Sequence, residues 1–300
     1  MNILLTGGSG FIGRQLTKLL LSQQHQVIVL TRSRNKTQAL LPSRCVLVES
    51  LDEITQNQLP HAVINLAGEA IADKYWSVKR KHLLRISRIQ FTKNLADWIM
   101  EHVPDLKVMI SGSALGYYGS QEGAIALTES SAAVEGFTHQ LCKDWEFEAL
   151  RLESIGCRVC LLRTGLVLGN DGGALAKMLP AFKYYLGGTV ASGQQVMSWI
   201  HMDDMIHAIV FLLNHSHAKG AYNITSPHAV NNLEFSLALA KQLHRPAIFR
   251  VPVFMLRLML GEGAELLVQG QRVIPERLQK AGFNFSYPHL KSALTEIIGK

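Results

Sequence analysis

The densest chemical signal is Thr6-Gly7-Gly8-Ser9-Gly10-Phe11-Ile12-Gly13. Gly8, Gly10 and Gly13 fit G-x-G-x-x-G, and Gly7, Gly10 and Gly13 fit G-x-x-G-x-x-G. Glycines let a backbone approach a pyrophosphate closely, and the helix that follows supplies N–H donors and a positive dipole end. Such a match gains meaning from its context, an apolar strand before it and an amphipathic helix after it. Both are present, so Thr6, Gly7, Gly8, Gly10, Phe11, Ile12 and Gly13 are expected to hold a dinucleotide. The second strand should carry the residue that reads the ribose. It ends in Thr31-Arg32-Ser33-Arg34, with no Asp or Glu to bond a free 2′-hydroxyl. Arg32 offers a planar fork to a 2′-phosphate, and Thr31 and Ser33 add hydroxyls. One charge-assisted hydrogen bond is worth ~1.5–3 kcal/mol, roughly one to two decades of affinity. NADP(H) is therefore expected rather than NAD. After the fourth strand, Leu66-Ala67-Gly68-Glu69 is small enough to lie against the cofactor, with Glu69 able to reach a ribose hydroxyl or solvent.

These residues need a sheet to carry them. Apolar runs at 2–6, 26–30, 45–48, 62–66, 108–111 and 158–163 read as strands buried on both faces. Helical stretches at 11–24, 77–102 and 137–154 lie between them. The alternation predicts an α/β fold, a doubly wound parallel Rossmann sheet. After residue 168 the pattern turns loop-rich, with a helix at 202–214, a strand at 221–224 and mostly helices from 231. Residues 1–168 are expected to form the cofactor domain, with elements returning to it near 199–228. Residues 169–300 are expected to form a smaller, mostly helical substrate lobe with its own C-terminal segment.

Composition narrows the class. The chain has 300 residues, 48% hydrophobic and 18% charged, with a net charge of +7. That excludes disorder. No apolar run reaches the ~18 residues of a membrane span. The N-terminus lacks the features of a signal peptide, and the four cysteines suit a reduced, cytoplasmic protein. Cys157 and Cys160 spell C-x-x-C inside a strand, where residues three apart face opposite ways. The twelve histidines show no metal-ligand spacing, so no metal is expected. The basic run Lys79-Arg80-Lys81-His82 with Arg85 and Arg88 has no interleaved aromatics, which argues for a solvated face, with Arg88 able to turn towards the cleft, rather than nucleic acid.

TGGSGFIG, NLAGE after strand four and SGSALGYYG after strand five resemble the extended short-chain dehydrogenase/reductase superfamily. The segments 137–146, 162–169, Trp199-Ile200-His201-Met202-Asp203-Asp204 and 270–277 are similar to the YfcH-type epimerase family within it. The resemblance spans essentially the whole chain. It implies an NADP-type cofactor and a small C-terminal substrate lobe. A homodimer is expected, since extended reductases often pair through helices flanking strands four and five. The small-molecule substrate expected is nucleotide-sugar-like or another small anionic carbonyl or alcohol. It does not name a substrate.

That resemblance also raises the catalytic question. Extended reductases place Tyr-x-x-x-Lys on the helix after strand five, one helix face carrying both. The phenol starts from a pKa of ~10 and needs a nearby cation. Here Thr138 stands at the Tyr position and Cys142 at the Lys position. Tyr75…Lys79 and Tyr287…Lys291 have the spacing in the wrong places. His139…Lys143 keeps the spacing one residue on, and His139 would act as a substitute acid/base, contact substrate or pack locally. Ser113 sits where a substrate-orienting hydroxyl belongs, with Ser111 beside it. Tyr117 and Tyr118 would supply a phenol or pack beside the nicotinamide. Arg163 ends a strand on the ligand side and would touch cofactor or substrate or pair with an acid. Residues 170–177 read as a Gly-rich substrate loop or a plain connection, and Asp203 as a helix N-cap. Two readings follow. One is an NADP(H)-dependent oxidoreductase or epimerase, and the other a non-catalytic NADP(H)-binding sensor.

Overall fold

The computed structural model describes residues 1–121 and 125–299. Its central sheet has seven strands: β1 (Asn2–Thr6), β2 (Gln26–Leu30), β3 (Val46–Val48), β4 (Ala62–Asn65), β5 (Val108–Ala114), β6 (Arg158–Thr164) and β7 (Gly220–Ile224). Their order is β7-β6-β5-β4-β1-β2-β3. Every neighbouring pair is parallel. The order reverses between β1 and β4, and a ligand crevice opens at the carboxyl ends of strands at such a reversal.

Alternate residues of each strand serve opposite faces. Ile3, Leu5, Val27 and Val29 pack with Leu16 and Leu20 of α1 (Phe11–Ser22). Leu4, Ile28, Val63 and Met109 pack on the other face. Helices α3 (Phe91–His102) and α4 (Phe137–Leu150) cover that side, and α2 (Val78–Arg85) packs its Leu84 with Trp76 and Leu141 in a smaller cluster. The expected single helix over 77–102 is interrupted. A π-helical turn, Ile86–Gln90, separates α2 from α3. Such a turn admits one extra residue and is often found at functional sites.

The second core contains Leu168, Leu175, Phe182, Trp199, Phe235, Leu239, Leu290 and Leu294. Three-residue strands tie it together. Leu166–Leu168 pairs in parallel with Trp199–His201, and Gly188–Val190 with Phe249–Val251. Helix α5 (Gly173–Lys183) opens this region, and α6 (Met202–Asn214) returns to the main sheet against α1. Asp203 is not the cap of α6. The cap is His201, whose Nδ1 accepts the Asp203 N–H at 3.1 Å. Its Nε2 lies 3.0 Å from Glu296 Oε2. His201, Asp203 and Glu296 thus converge within 4.8 Å, across a sequence gap no local spacing reveals. Among the described residues no helix is long and apolar enough to cross a membrane.

Candidate active site

The glycine loop is packed as a cradle. Gly7 has φ +72°, and a Cβ there would lie 2.6 Å from the Leu66 carbonyl oxygen. A Cβ on Gly8 would lie 2.7 Å from the Val29 side chain, and one on Gly13 only 2.2 Å from Gly7 O. The loop therefore presses against both β2 and the end of β4. Gly10 caps α1 without a side-chain hydrogen bond, and the first turn carries no acid. Its N–H groups remain available to an anion. The Phe11 ring turns away from the loop and fills the space above Gly169, Gly172 and Gly173. That contact makes the stretch at 170–177 a docking surface for α1. Ile12 packs against the first core.

Thr6 and Asn65 brace the crevice floor. Thr6 Oγ1 donates to Asn65 Oδ1 at 2.6 Å and accepts the Ala67 N–H at 3.2 Å. Asn65 Nδ2 donates to Thr92 Oγ1 at 2.9 Å, which also accepts the Trp145 indole N–H at 3.0 Å. This chain fixes the 66–69 loop. Glu69 does not face solvent freely, since its carboxylate pairs with Arg80 at 3.0 Å. Arg80 is only 6% exposed, so the basic helix is not simply a solvated face.

At the end of β2, Arg32 is exposed while its neighbours are engaged. Thr31 and Thr37 share a hydroxyl contact of 2.6 Å, and the Ser33 N–H donates to Thr31 Oγ1 at 3.3 Å. Arg34 pairs with Glu53. Among the described residues Arg32 is thus an exposed cation of this turn, while Arg34 is paired.

Beyond β5 the candidate catalytic residues form one buried network. Ser113 and Arg163 are register partners on β5 and β6. Glu146 from α4 reaches between them. Ser113 Oγ donates to Glu146 Oε1 at 2.6 Å. Arg163 Nε and Nη2 each donate to a Glu146 oxygen at 3.0 Å. Arg163 therefore pairs with an acid, one of the options its sequence position offered. Its guanidinium lies 3.3 Å from the Tyr117 ring centroid. Tyr118 does not project into the crevice. It is fully buried, and its hydroxyl donates to Asn223 Oδ1 at 2.6 Å. Burial raises its phenol above the ordinary value. Tyr117 is only half-buried, and His139 packs edge-on against it at 5.2 Å, its Nδ1 2.5 Å from Tyr117 O. His139 is thus a local packing residue, and Lys143 is exposed. Ser111 is buried beneath them with its Oγ unbonded. Glu146, the hub, was missed in the sequence although it stands beside Trp145, four residues after Cys142.

Cys142 cannot replace the lysine. Burial pushes its thiol up to about 12. Cys157 and Cys160 are likewise pushed up by burial, to about 12 and about 11, from an ordinary 9.0. All four cysteines are free. An acid whose folded value is raised stabilises the fold below its unfolded value, and that stability is lost as pH climbs through the window between the two. We expect stability to fall between pH 9 and pH 11. At pH 8 iodoacetamide should modify Cys45 first, with the other three reacting only after urea unfolding, as read by mass spectrometry. Rapid native labelling of Cys142 would contradict its placement.

Residues 3–225 match the NAD dependent epimerase/dehydratase family, and residues 251–297 match a domain of unknown function, DUF1731. The chain is 38% identical to the chloroplastic epimerase family protein SDR39U1 homolog of Arabidopsis thaliana, over 99% of this chain and 87% of that protein. It is 35% identical to epimerase family protein YfhF of Bacillus subtilis, over 99% and 98% of the two. Among solved structures, the human epimerase family protein SDR39U1 with NADPH superposes with a TM-score of 0.90 at 31% identity, covering 100% of both chains. A UDP-glucose 4-epimerase from Thermotoga maritima superposes at 0.80 with 18% identity, which speaks for the fold alone. Cradle, sheet order and full-length similarity agree, and the chain belongs to the NAD dependent epimerase/dehydratase family, in the extended short-chain reductase group that carries a DUF1731 segment.

Proposed function

We propose that the protein binds NADP(H) and acts as an atypical extended short-chain reductase or epimerase on a small or nucleotide-sugar-like substrate. The observation that carries this reading is the glycine cradle on the same side as an exposed Arg32. The cradle leaves no room for a Cβ at Gly7 or Gly13, which suits close approach of a diphosphate. The first-turn amides of α1 hold that diphosphate, Thr31, Arg32 and Ser33 take the 2′-phosphate, and the 66–69 loop borders the second ribose. A bound NADPH supplies hydride. Ser113 donates its own proton to Glu146, so its Oγ accepts a hydrogen bond from a substrate hydroxyl. Tyr117 is the half-buried phenol of the site, braced by Arg163 and His139. A reducing compartment such as the cytoplasm fits the free cysteines.

A second reading, a non-catalytic NADP(H) sensor, is favoured by one observation. The position of the usual lysine holds a buried, neutral thiol.

Nicotinamide-fluorescence titration tests the shared part. Wild type should prefer NADPH to NADH by about tenfold or more, and Arg32→Ala should erase that preference. Absence of binding by either nucleotide sinks both readings. Turnover of NADPH across a carbonyl library then separates enzyme from sensor.

A further inference from the structure

The π turn delivers a cation to the crevice. Arg88 lies within it. Its Nη2 donates to the Glu69 carbonyl at 2.9 Å and its Nη1 to Ser87 Oγ at 3.3 Å. A Cβ on Gly68 would stand 3.2 Å from its Cζ. On its other side the guanidinium lies 5.3 Å from the Trp145 ring centroid. All of these partners are uncharged. The carboxylate of Glu69 is already taken by Arg80 at 3.0 Å. Among the described residues Arg88 has no ion pair of its own, and burial pulls its guanidinium below the ordinary value. Cys142, on the α4 side, is neutral. The Glu69 carboxylate acts on Arg88 too, but Arg80 opposes it, so two arginines against one carboxylate leave a net positive potential in the adjoining crevice.

The 66–69 loop follows β4, on the opposite side of the β1 reversal from β2 and Arg32. A dinucleotide whose 2′-phosphate sits at Arg32 brings its nicotinamide half to the β4 side. The oxidised ring carries a positive charge, and the reduced ring carries none. Resting on the cofactor reading above, we propose that Arg88 makes this site select the reduced cofactor, so that NADPH binds more tightly than NADP⁺. The charge penalises only the oxidised form. At the effective dielectric of a half-buried site, a cation within several ångströms gives a preference of roughly tenfold. Occupancy then follows the reduced fraction of the pool rather than the total, a property useful to either an enzyme or a sensor.

Calorimetric titrations of the intact protein with NADPH, NADP⁺ and 2′,5′-ADP test this at fixed ionic strength. The third ligand lacks the nicotinamide half. Wild type should favour NADPH over NADP⁺ by roughly tenfold. Arg88→Gln should bring the ratio near one and leave 2′,5′-ADP affinity unchanged, while Arg88→Lys should keep most of the preference. An equal ratio in wild type and Arg88→Gln overturns the proposal. So does a parallel loss of 2′,5′-ADP binding in Arg88→Gln, which would mark Arg88 as structural. If wild type binds 2′,5′-ADP but neither nicotinamide form more tightly, the placement of the nicotinamide half fails. If it binds none of the three, the cofactor reading itself falls and takes the proposal with it.

Discussion

Gly13→Ala should abolish NADPH binding. The added Cβ would stand 2.2 Å from Gly7 O and 2.7 Å from Gly8 Cα. Both are backbone atoms, so no side chain can swing aside. Gly13 is already helical, so strain in φ is not the cause. Helix α1 must back away from its own loop, and overpacking of this kind costs about 1–3 kcal/mol of stability or more. The larger effect is on the ligand. The first-turn amides move off the diphosphate, and each lost charge-assisted bond costs about 1.5–3 kcal/mol. Losing two reduces affinity by at least about a hundredfold. Gly10→Ala should cost less, because its Cβ meets only Gly7 O, at 3.1 Å. Fluorescence titration and thermal unfolding of both variants decide the matter. A folded Gly13→Ala protein that binds NADPH as wild type does would mean the loop is not the cradle.

The sheet was legible because buried parallel strands are apolar throughout. Runs at 2–6 and 26–30 coincide with β1 and β2. The three-residue strands of the second region were not legible, since three residues show no period. The π turn was hidden for a related reason. One extra residue shifts the register of 77–102 without breaking its helical composition. The tightly packed glycine loop is legible because its residues are consecutive. The Ser113–Glu146–Arg163 network could not, because it joins β5, α4 and β6. The sequence marks Ser113 and Arg163 only as separate strand-end residues. Only the parallel register that sets them side by side shows that one carboxylate serves both. Tyr118 looked equivalent to Tyr117 in sequence, but Asn223 on β7 draws its hydroxyl away from the crevice.

That network carries the second large effect. Glu146 and Arg163 are 5% exposed each, and the guanidinium makes two bonds of 3.0 Å to the carboxylate. Glu146→Ala strands a buried cation and leaves Ser113 Oγ without its acceptor. Breaking a buried pair from one side costs about 3–5 kcal/mol. Arg163 also stacks on Tyr117, so the loss reaches the half-buried phenol of the site. Urea unfolding should show a loss of unfolding free energy of that size for Glu146→Ala and a smaller one for Glu146→Gln, which still accepts from Ser113. Glu146→Leu with Arg163→Met should recover much of the loss, because paired removal leaves no buried charge. The double variant should nevertheless fail to restore any turnover seen in wild type, since Tyr117 then rests on an apolar chain instead of a cation. Full activity in the double variant would show that the network only holds the fold. Restored stability with absent turnover would assign it to the site, as the brace that stands where Thr138 and Cys142 replace the usual pair.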